Sequence, residues 1–463
     1  MSVRPITVIG GGLAGTEAAF QIASRGIPVR LYEMRPQTPT RVHQSDLLGE
    51  LVCSNSLKSD TLSSAHGLLK AELRRLNSLV LRAADACRVP AGSALAVDRH
   101  QFASYLTDAV CRQAGITLVR EEVRELPSDG LTIVASGPLT SEALTASIQC
   151  RVGAEQLYFY DALSPIVAAD SIDYSKTFFA SRYDRGDGKD YLNSPLDRDQ
   201  YERLCSELCE AQCLTLHEVE RELFFEGCLP VEEMARRGPQ TLAFGPLKPV
   251  GLVPPDRPQP HAVVQLRLED CMRSAFNMVG FQTRLKYGEQ RRIFRMIPGL
   301  EKAVFLRLGS VHRNTFINAP RLLLPTLQAK RDPNLLFAGQ ITGVEGYVES
   351  AATGLLAGLN VVALCRGAAP AVPPATTAHG ALVKYISSAC PDTFQPMNIN
   401  FGLLPPLQLP VSRKRLRREA MIERALKDLL AWEQKVARND ADVSEHFPDP
   451  SRGRTTGVAA YCP

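Results

Sequence analysis

A glycine-rich turn near the N-terminus offers the first recognisable chemistry in this sequence. The β-branched run ITVI leads into GGGLAG, which places Gly10, Gly12 and Gly15 at the spacing G-x-G-x-x-G. Gly10 permits a tight strand-to-helix turn, Gly12 lets the backbone approach a pyrophosphate, and Gly15 lets the helix pack close to the strand. The unpaired N–H groups at the start of that helix, around Leu13 and Ala14, attract an anion. The turn therefore predicts a dinucleotide-binding site.

An acidic residue follows at the position that such a site needs. The run PVRLYE predicts a second strand that ends on Glu33, and a carboxylate there suits a ribose hydroxyl. A glycine-rich turn without a ligand is the alternative, and the matching acid argues against it.

A second glycine-rich turn lies late in the chain. The buried-strand pattern NLLFAGQ is followed by a turn that contains Gly339, Gln340, Gly343 and Tyr347, and then by a small-residue helix predicted over Ser350 to Leu364. This arrangement would bring a second helix N-terminus next to the first, as in enzymes that bind FAD. We therefore predict FAD as the cofactor, with an unrelated glycine-rich loop as the alternative.

The elements that position these turns occupy the two ends of the chain. At 463 residues the chain exceeds one ordinary core, and its middle turns polar and proline-rich between about Tyr160 and Pro260. We predict an α/β fold: a discontinuous Rossmann-type FAD-binding domain with an inserted α+β domain. The predicted parts are 1–157 (FAD-binding domain, first part), 158–304 (insertion), 305–366 (FAD-binding domain, second part) and 380–463 (C-terminal segment with a basic helix packed on the FAD domain).

Local patterns predict several further elements. Asp98 is expected to cap a helix, and the segment from His261 alternates as a strand with one exposed face does. The predicted elements are helices over 14–25, 66–79, 99–114, 199–213 and 412–438, strands over 116–119, 131–135 and 261–268, and an Ala/Pro linker over 367–379.

Composition limits the cellular setting and the partners. Hydrophobic residues make up 45% of the chain and charged residues 22%, as in a soluble globular protein. A formal net charge of +4 is too small to establish a nucleic-acid partner, so any basic surface must be local. No signal peptide fits before Ile6 and no apolar run reaches the length of a membrane span. We therefore expect a cytoplasmic protein with no membrane partner.

The cysteines give no sign of a disulfide framework or a metal site. The 12 cysteines are scattered and are more typical of reduced thiols. Cys205, Cys209 and Cys213 recur at helical spacing, but no histidine follows at ligand spacing and no C-x-x-C pair occurs. Core packing explains them better, and we predict no metal.

Seven blocks of sequence carry a family resemblance. They are ELVCSNSLKS (50–59), FEGCLPVE (225–232), MVGFQT (278–283), FRMIPGL (294–300), HRNTFIN (312–318), AGQITGVEGYVE (338–349) and QPMNINFG (395–402). In this combination the chain resembles the folate- and FAD-dependent tRNA (uracil-5-)-methyltransferases, the TrmFO family. The loop around Cys271 and the tail after Asn439 look less typical. Larger flavin proteins of the MnmG type share the glycine-rich start but lack both cysteine blocks.

The resemblance implies a reaction and its participants. A one-carbon unit passes from methylenetetrahydrofolate to C5 of the T-loop uridine of tRNA, and NADPH or NADH supplies electrons through FAD. C5 of uracil is a poor nucleophile until a thiolate adds at C6. In the family the two cysteine blocks carry the catalytic cysteines. We take Cys228 as the nucleophile and Cys53 as its acid/base partner, with the order of roles open and plain packing as the alternative for each.

The sequence around Cys228 suits a thiolate. Pro230 is favoured at the first position of a helix, so Cys228 is expected just before a helix N-terminus, where the dipole favours a negative charge. Glu226 would oppose this effect.

The remaining predicted contacts are to folate and to tRNA. His312 could stack on a pterin and Arg313 could meet a carboxylate or a phosphate, with Asn314 beside them. A surface histidine on a loop is the alternative. Two basic stretches predict tRNA contacts, with a solvated charged face as the alternative. They contribute Arg284, Lys286, Arg291, Arg292, Arg413, Lys414 and Arg415.

Three other functions remain open at this stage. The first is an FAD oxidoreductase of a small molecule, against which the basic stretches and the two cysteine blocks argue. The second is a non-catalytic flavoprotein that binds RNA. The third is the same methylation on a ribosomal RNA uridine, which would need the same residues.

Overall fold

The computed structural model describes residues 4–40, 42–153, 156–182, 189–214, 229–255, 258–408 and 412–446. The strands are β1 Ile6–Ile9, β2 Val29–Tyr32, β3 Ser56–Ser59, β4 Arg88–Val89, β5 Ala94–Val97, β6 Ile116–Val119, β7 Thr132–Val134, β8 Gln156–Ala162, β9 Ile166–Ala168, β10 Phe178–Ala180, β11 Tyr191–Leu196, β12 Ala262–Leu268, β13 Ala275–Met278, β14 Phe305–Arg307, β15 Val311–Ile317, β16 Gln328–Ala329 and β17 Asp332–Phe337. The helices are α1 Leu13–Ala23, α2 Ala65–Arg75, α3 Leu79–Ala86, α4 Arg99–Arg112, α5 Glu142–Val152, α6 Arg198–Glu210, α7 Val231–Arg236, α8 Thr241–Phe244, α9 Tyr287–Phe294, α10 Ala319–Leu322, α11 Tyr347–Cys365, α12 Ala378–Ser388 and α13 Lys414–His446.

One sheet joins the two ends of the chain. Its order is β16-β17-β7-β1-β2-β6, and every neighbouring pair from β17 to β6 is parallel. The late strand β17 pairs with β7, which pairs with β1. The sheet is therefore built from strands that come before and after the middle of the chain. The predicted α/β class, a discontinuous Rossmann-type fold, is confirmed.

Two helices of this fold pack unusually close together. A Cβ at Gly15 would lie 1.8 Å from the Gly10 carbonyl oxygen, and one at Gly354 would lie 2.3 Å from the Ala14 carbonyl oxygen. Glycine is therefore required where α1 meets the end of β1 and where α11 crosses α1. As a result, the start of α1 packs against the middle of α11, and the two helices run in the same direction.

The middle of the chain forms its own antiparallel sheet and its own core. The order is β10-β11-β12-β13-β9-β14, and a separate cluster of buried apolar side chains lies against it. The exposed face predicted for the strand over 261–268 is wrong, because all seven residues of β12 (Ala262–Leu268) are buried. This strand is central in its sheet, and its polar side chains find partners: Gln265 Nε2 donates to Asn193 Oδ1 at 3.2 Å.

A two-stranded sheet connects the two parts. In it β8 and β15 run antiparallel, with His312 opposite Asp161. β15 packs against two short turns, Gly137–Leu139 and Gln340–Thr342, at the edge of the first sheet. The domain boundaries at 157/158 and 304/305 stay a prediction.

Several helices differ from their sequence patterns. The single helix predicted over 66–79 is two helices, because Asn77 adopts φ +56° and Ser78 caps α3 by accepting from Leu81 N–H at 3.2 Å. The cap predicted at Asp98 is confirmed, since its carboxylate accepts from Gln101 N–H at 3.0 Å. Helix α12 follows the predicted linker and was not predicted.

One helix in the described ranges, α11, is long and apolar enough to cross a membrane. Most of it is buried within the fold, where it packs against α1, so it is a core helix.

Candidate active site

An open groove lies at the carboxyl ends of β1, β2, β7 and β17. It encloses about 1010 Å³, the solvent at its mouth included. Eight of the predicted cofactor residues line it: Gly10, Gly12, Leu13, Ala14, Glu33, Gly339, Gln340 and Tyr347. This edge of a parallel sheet, at the start of a helix, is where α/β proteins hold a dinucleotide.

Gly12 leaves room for a ligand. Apart from Gly12 itself and its two chain neighbours, no described atom lies within 4 Å of the position that a Cβ at Gly12 would take. Gly10, in contrast, has φ +109°, and its Cβ would lie 2.5 Å from the Ala135 carbonyl oxygen. Gly10 therefore shapes the turn, whereas the space above Gly12 stays free for a phosphate.

Glu33 holds the turn as well as lining the groove. Its carboxylate accepts from Gly11 N–H at 3.0 Å and from Arg35 Nε–H at 2.9 Å. Burial raises the pKa of Glu33, but the hydrogen bonds and charge of Arg35 outweigh it and leave the pKa below its ordinary value. The carboxylate is thus ionised, and it has further lone pairs for a ribose hydroxyl.

The late turn is held from both sides. Gly339 has φ +81°, and its N–H donates to Thr353 Oγ1 at 2.8 Å. Gln340 Nε2 donates to Glu345 Oε2 at 2.7 Å. Gly15 and Gly343 do not line the groove: Gly15 packs under Gly10, and a Cβ at Gly343 would lie 2.5 Å from the Phe394 ring. Their roles are in packing.

Cys53 lies in a loop beside the groove, and its backbone is held at both ends. The Tyr347 hydroxyl oxygen accepts from Cys53 N–H at 2.9 Å and from Ser54 N–H at 3.2 Å. The Cys53 carbonyl accepts from Arg99 Nη2 and from Arg307 Nη2, both at 3.2 Å. Since Tyr347 also lines the groove, the half-buried Cys53 is tied to the cofactor site.

Three further contacts complete this arrangement, which we call the arginine clamp (Arg99, Arg267 and Arg307). Arg267 donates to Asn55 Oδ1 at 2.8 Å and to Ser54 Oγ at 2.7 Å. Glu269 pairs with Arg99 at 2.6 Å. Burial raises the pKa of Glu269, but the charge and hydrogen bond of Arg99, and then the charges of Arg267 and Arg307, outweigh it and leave the pKa below its ordinary value, so Glu269 is ionised. The clamp joins α4 to β12 and β14 of the second sheet.

Cys228 lies outside the described residues. The chain after it matches the expectation in part: helix α7 begins at Val231, with Pro230 as its N-cap residue. Glu232 in the first turn is buried and accepts from Thr283 Oγ1 and Arg284 N–H, both at 2.8 Å.

The predicted folate residues lie on β15. His312 and Asn314 share one face of the β8–β15 pair with Asp161, and burial lowers the pKa of His312. The side chain of Arg313 lies outside the described part of the chain. Burial, together with the charge of Asp161, raises the pKa of nearby Glu345 to about 8.

The predicted tRNA residues do not all lie on the surface. Arg284 is buried and pairs with Glu233 at 2.6 Å, which is at odds with a phosphate contact, because its charge is already matched inside the fold. The other six are exposed: Lys286, Arg291, Arg292, Arg413, Lys414 and Arg415. Within the ranges that the structure describes, no group of residues suited to a metal ion occurs.

A family model and the sequences of similar proteins were compared with this chain. The family described as "Glucose inhibited division protein A" matches residues 5–369. A protein of Geobacter sulfurreducens named methylenetetrahydrofolate--tRNA-(uracil-5-)-methyltransferase TrmFO is 58% identical over 428 residues, which cover 92% of this chain and 98% of that protein. A protein of the same name from Heliobacterium modesticaldum is 56% identical over 425 residues, 92% of this chain and 97% of that one.

Among solved structures, Aquifex aeolicus GidA has a similar fold. Its form II crystal structure gives a TM-score of 0.64 at 18% identity and covers 98% of this chain and 79% of that chain. At this identity the likeness concerns the fold alone.

Proposed function

The chain belongs to the TrmFO family, and we propose that it is a methyltransferase that forms 5-methyluridine in the T-loop of tRNA with methylenetetrahydrofolate as the carbon donor. The observation that carries this proposal is the Cys53 loop, whose backbone is held by Tyr347 at the edge of a dinucleotide groove. A thiol placed beside a flavin site suits a reaction that both activates a pyrimidine and reduces a one-carbon unit.

The reaction balances with one reductant. The hydrogen on uracil C5 is replaced by a methyl group, the methylene carbon of the folate gains two electrons, and tetrahydrofolate leaves. NADPH or NADH supplies the two electrons and leaves oxidised. FAD, when bound, supplies the two-electron chemistry between them. No second G-x-G-x-x-G occurs in the sequence, so the nicotinamide is expected to visit the site.

The groove fits FAD. Gly12 and the N–H groups of Leu13 and Ala14 would hold the pyrophosphate, and Glu33 would hold a ribose. The late turn with Gly339 and Gln340 would hold the flavin end.

The cysteines would supply the nucleophilic chemistry. A Cys228 thiolate adds to C6 of uracil, which makes C5 nucleophilic, and it is eliminated after the C5 proton leaves. Cys53 would move protons, and the contacts to its backbone fix where its sulfur lies. A general acid or base must be held within hydrogen-bond reach of the reacting proton.

The exposed cations would bind the tRNA backbone. Arg413, Lys414 and Arg415 lie at the start of α13, where their positive charges oppose the helix dipole. Phosphate binding is the role that such a cluster suits.

The test is direct. Purified protein is incubated with methylenetetrahydrofolate, NADPH and unmodified tRNA, and the nucleosides are analysed for 5-methyluridine. A parallel reaction contains a ribosomal RNA fragment in place of tRNA. We expect 5-methyluridine in the tRNA reaction, with loss of the product when folate is omitted. Methylation of the ribosomal fragment alone would contradict the proposed substrate.

A further inference from the structure

One face of the β8–β15 pair carries polar atoms that lack partners. Asp161 Oδ1, His312 Nδ1 and both amide atoms of Asn314 are buried and make no hydrogen bond to any described residue. Asp161 is 5% exposed and Asn314 is 1% exposed. A buried polar atom without a partner loses its hydrogen bonds to water and gains none in return. Three such side chains on one face are therefore costly unless a ligand satisfies them.

This face lies beside the cofactor groove. The charge of Asp161 acts on Glu345, whose carboxylate accepts a hydrogen bond from Gln340 Nε2, and Gln340 lines the groove. Strand β15 also packs against the Gly137–Leu139 turn, whose three residues line the groove. The unpartnered atoms therefore lie next to the end of the groove that Gly339 and Gln340 form.

The donors and acceptors distinguish two heterocycles that the proposed reaction brings there. The uracil edge presents one N–H between two carbonyl oxygens, so a carboxylate beside it would face a carbonyl. The pterin edge presents a 2-amino group and an adjacent N3–H, followed by the O4 carbonyl. A carboxylate accepts both hydrogens, and the amide N–H of an asparagine serves the carbonyl.

We propose that Asp161 determines specificity for the pterin of the folate, by accepting the hydrogens of its 2-amino group and N3, while Asn314 donates to O4. The inference rests on the proposed function, because it takes folate to be the carbon donor. It adds a residue that no cysteine block or glycine-rich motif contains.

The experiment measures folate binding without tRNA. Tetrahydrofolate and its 2-desamino analogue are titrated into the FAD-loaded enzyme, and binding is followed by the change in flavin absorbance. The test variant is Asp161→Asn, whose side chain has nearly the same shape. The control is Asp173→Asn, because Asp173 is an exposed carboxylate that accepts a hydrogen bond from Ser175 Oγ.

We expect wild-type enzyme and Asp173→Asn to bind tetrahydrofolate more tightly than the analogue. Asp161→Asn should bind tetrahydrofolate about 10- to 100-fold more weakly, the range for a hydrogen bond to a charged group, and should lose the preference for the amino compound. Its FAD content should equal that of the wild type.

Three outcomes would overturn the inference. If Asp161→Asn keeps both the affinity for tetrahydrofolate and the preference for it over the 2-desamino analogue, Asp161 does not bind the pterin. If it keeps folate affinity but fails to form an adduct with 5-fluorouridine tRNA, the face serves uracil. If wild-type enzyme binds no tetrahydrofolate, the proposed function itself fails, and this inference with it.

Discussion

The glycines of the nucleotide turn divide into two that the fold requires and one that leaves space for a ligand. Gly10 and Gly15 face protein atoms at distances that exclude a side chain, whereas Gly12 faces open space. The motif alone predicts all three positions, because each glycine answers a local backbone requirement. A substitution at Gly12 is therefore a test of the ligand rather than of the fold.

Gly12→Val should abolish FAD binding and leave the protein folded. A Cβ at Gly12 meets no atom beyond its chain neighbours within 4 Å, so the valine side chain extends into the space proposed for the pyrophosphate. Gly288→Val is the matched control, since that position is equally open but lies on α9. The ratio of flavin to protein absorbance after purification measures the effect. A yellow Gly12→Val protein would contradict the assignment of the groove.

Glu345 should make stability depend on pH in a defined direction. Burial raises its pKa from 4.5 to about 8. Between these values the unfolded chain releases the proton that the folded protein retains, so stability falls as pH rises through this window. Urea unfolding at pH 5, 6, 7 and 8 should show a smaller fall in Glu345→Gln than in the wild type. Parallel pH profiles for the two proteins would show that Glu345 does not titrate in this window.

At the scale of elements, sequence patterns predict features set by neighbouring residues and do not predict contacts between residues that are far apart in the chain. The cap at Asp98 and strand β6 follow from neighbouring residues. The arginine clamp does not, because Arg267 and Arg307 lie 213 and 254 positions from the residues they hold. Asp161 is equally hidden, since a single acid within a strand has no spacing that identifies it. The burial of Arg284 is hidden in the same way, because its partner Glu233 comes from another element, α7.

The clamp should control the Cys53 loop without affecting FAD. In Arg307→Ala, the carbonyls of Val52 and Cys53 each lose a donor, and a loosened loop should slow methyl transfer about 10- to 100-fold with little change in KM. Arg307→Lys should recover only part of the rate. Its ammonium can donate to one carbonyl but lacks the planar fork that reaches both.

Two measurements check this prediction. The rate of 5-methyluridine formation gives the effect on turnover, and mapping of Cys53 alkylation by iodoacetamide reports the loop. Arg198→Ala, an exposed arginine on α6 that pairs with Glu202, is the control and should behave as wild type. Equal turnover in Arg307→Ala and Arg198→Ala would rule out a positioning role for Arg307.

At the scale of the whole molecule, binding to tRNA is expected to combine a site between two sheets with a basic surface on the C-terminal helix. Helix α13 packs on the FAD domain through Leu429 and Trp432, which are buried, and through an Arg75–Glu433 ion pair of 2.8 Å. The helix is thereby fixed relative to the groove, with its cationic start exposed.

Replacing Arg413, Lys414 and Arg415 together by Ala should flatten the salt dependence of tRNA binding. Each lost phosphate contact removes roughly 0.7–0.9 from the slope of log affinity against log salt, so the slope should fall by about 2 to 3. Flavin reduction by NADPH should be unchanged. The control replaces Arg112, Arg198 and Arg203, which are also exposed. An unaltered slope in the first triple variant would show that the start of α13 is a solvated surface that does not bind tRNA.

The central claim is that a cysteine activates the uracil of tRNA beside the flavin groove, and a trapping experiment tests it most directly. Fluorine at C5 blocks the proton loss that releases the enzyme, so tRNA containing 5-fluorouridine, incubated with methylenetetrahydrofolate and NADPH, should leave a covalent adduct. We expect peptide mapping to place it on Cys228. Cys228→Ala should form no adduct yet still bind FAD and accept electrons from NADPH. An adduct on Cys53 would reverse the two roles, and full methylation by Cys228→Ala would contradict nucleophilic catalysis by this residue.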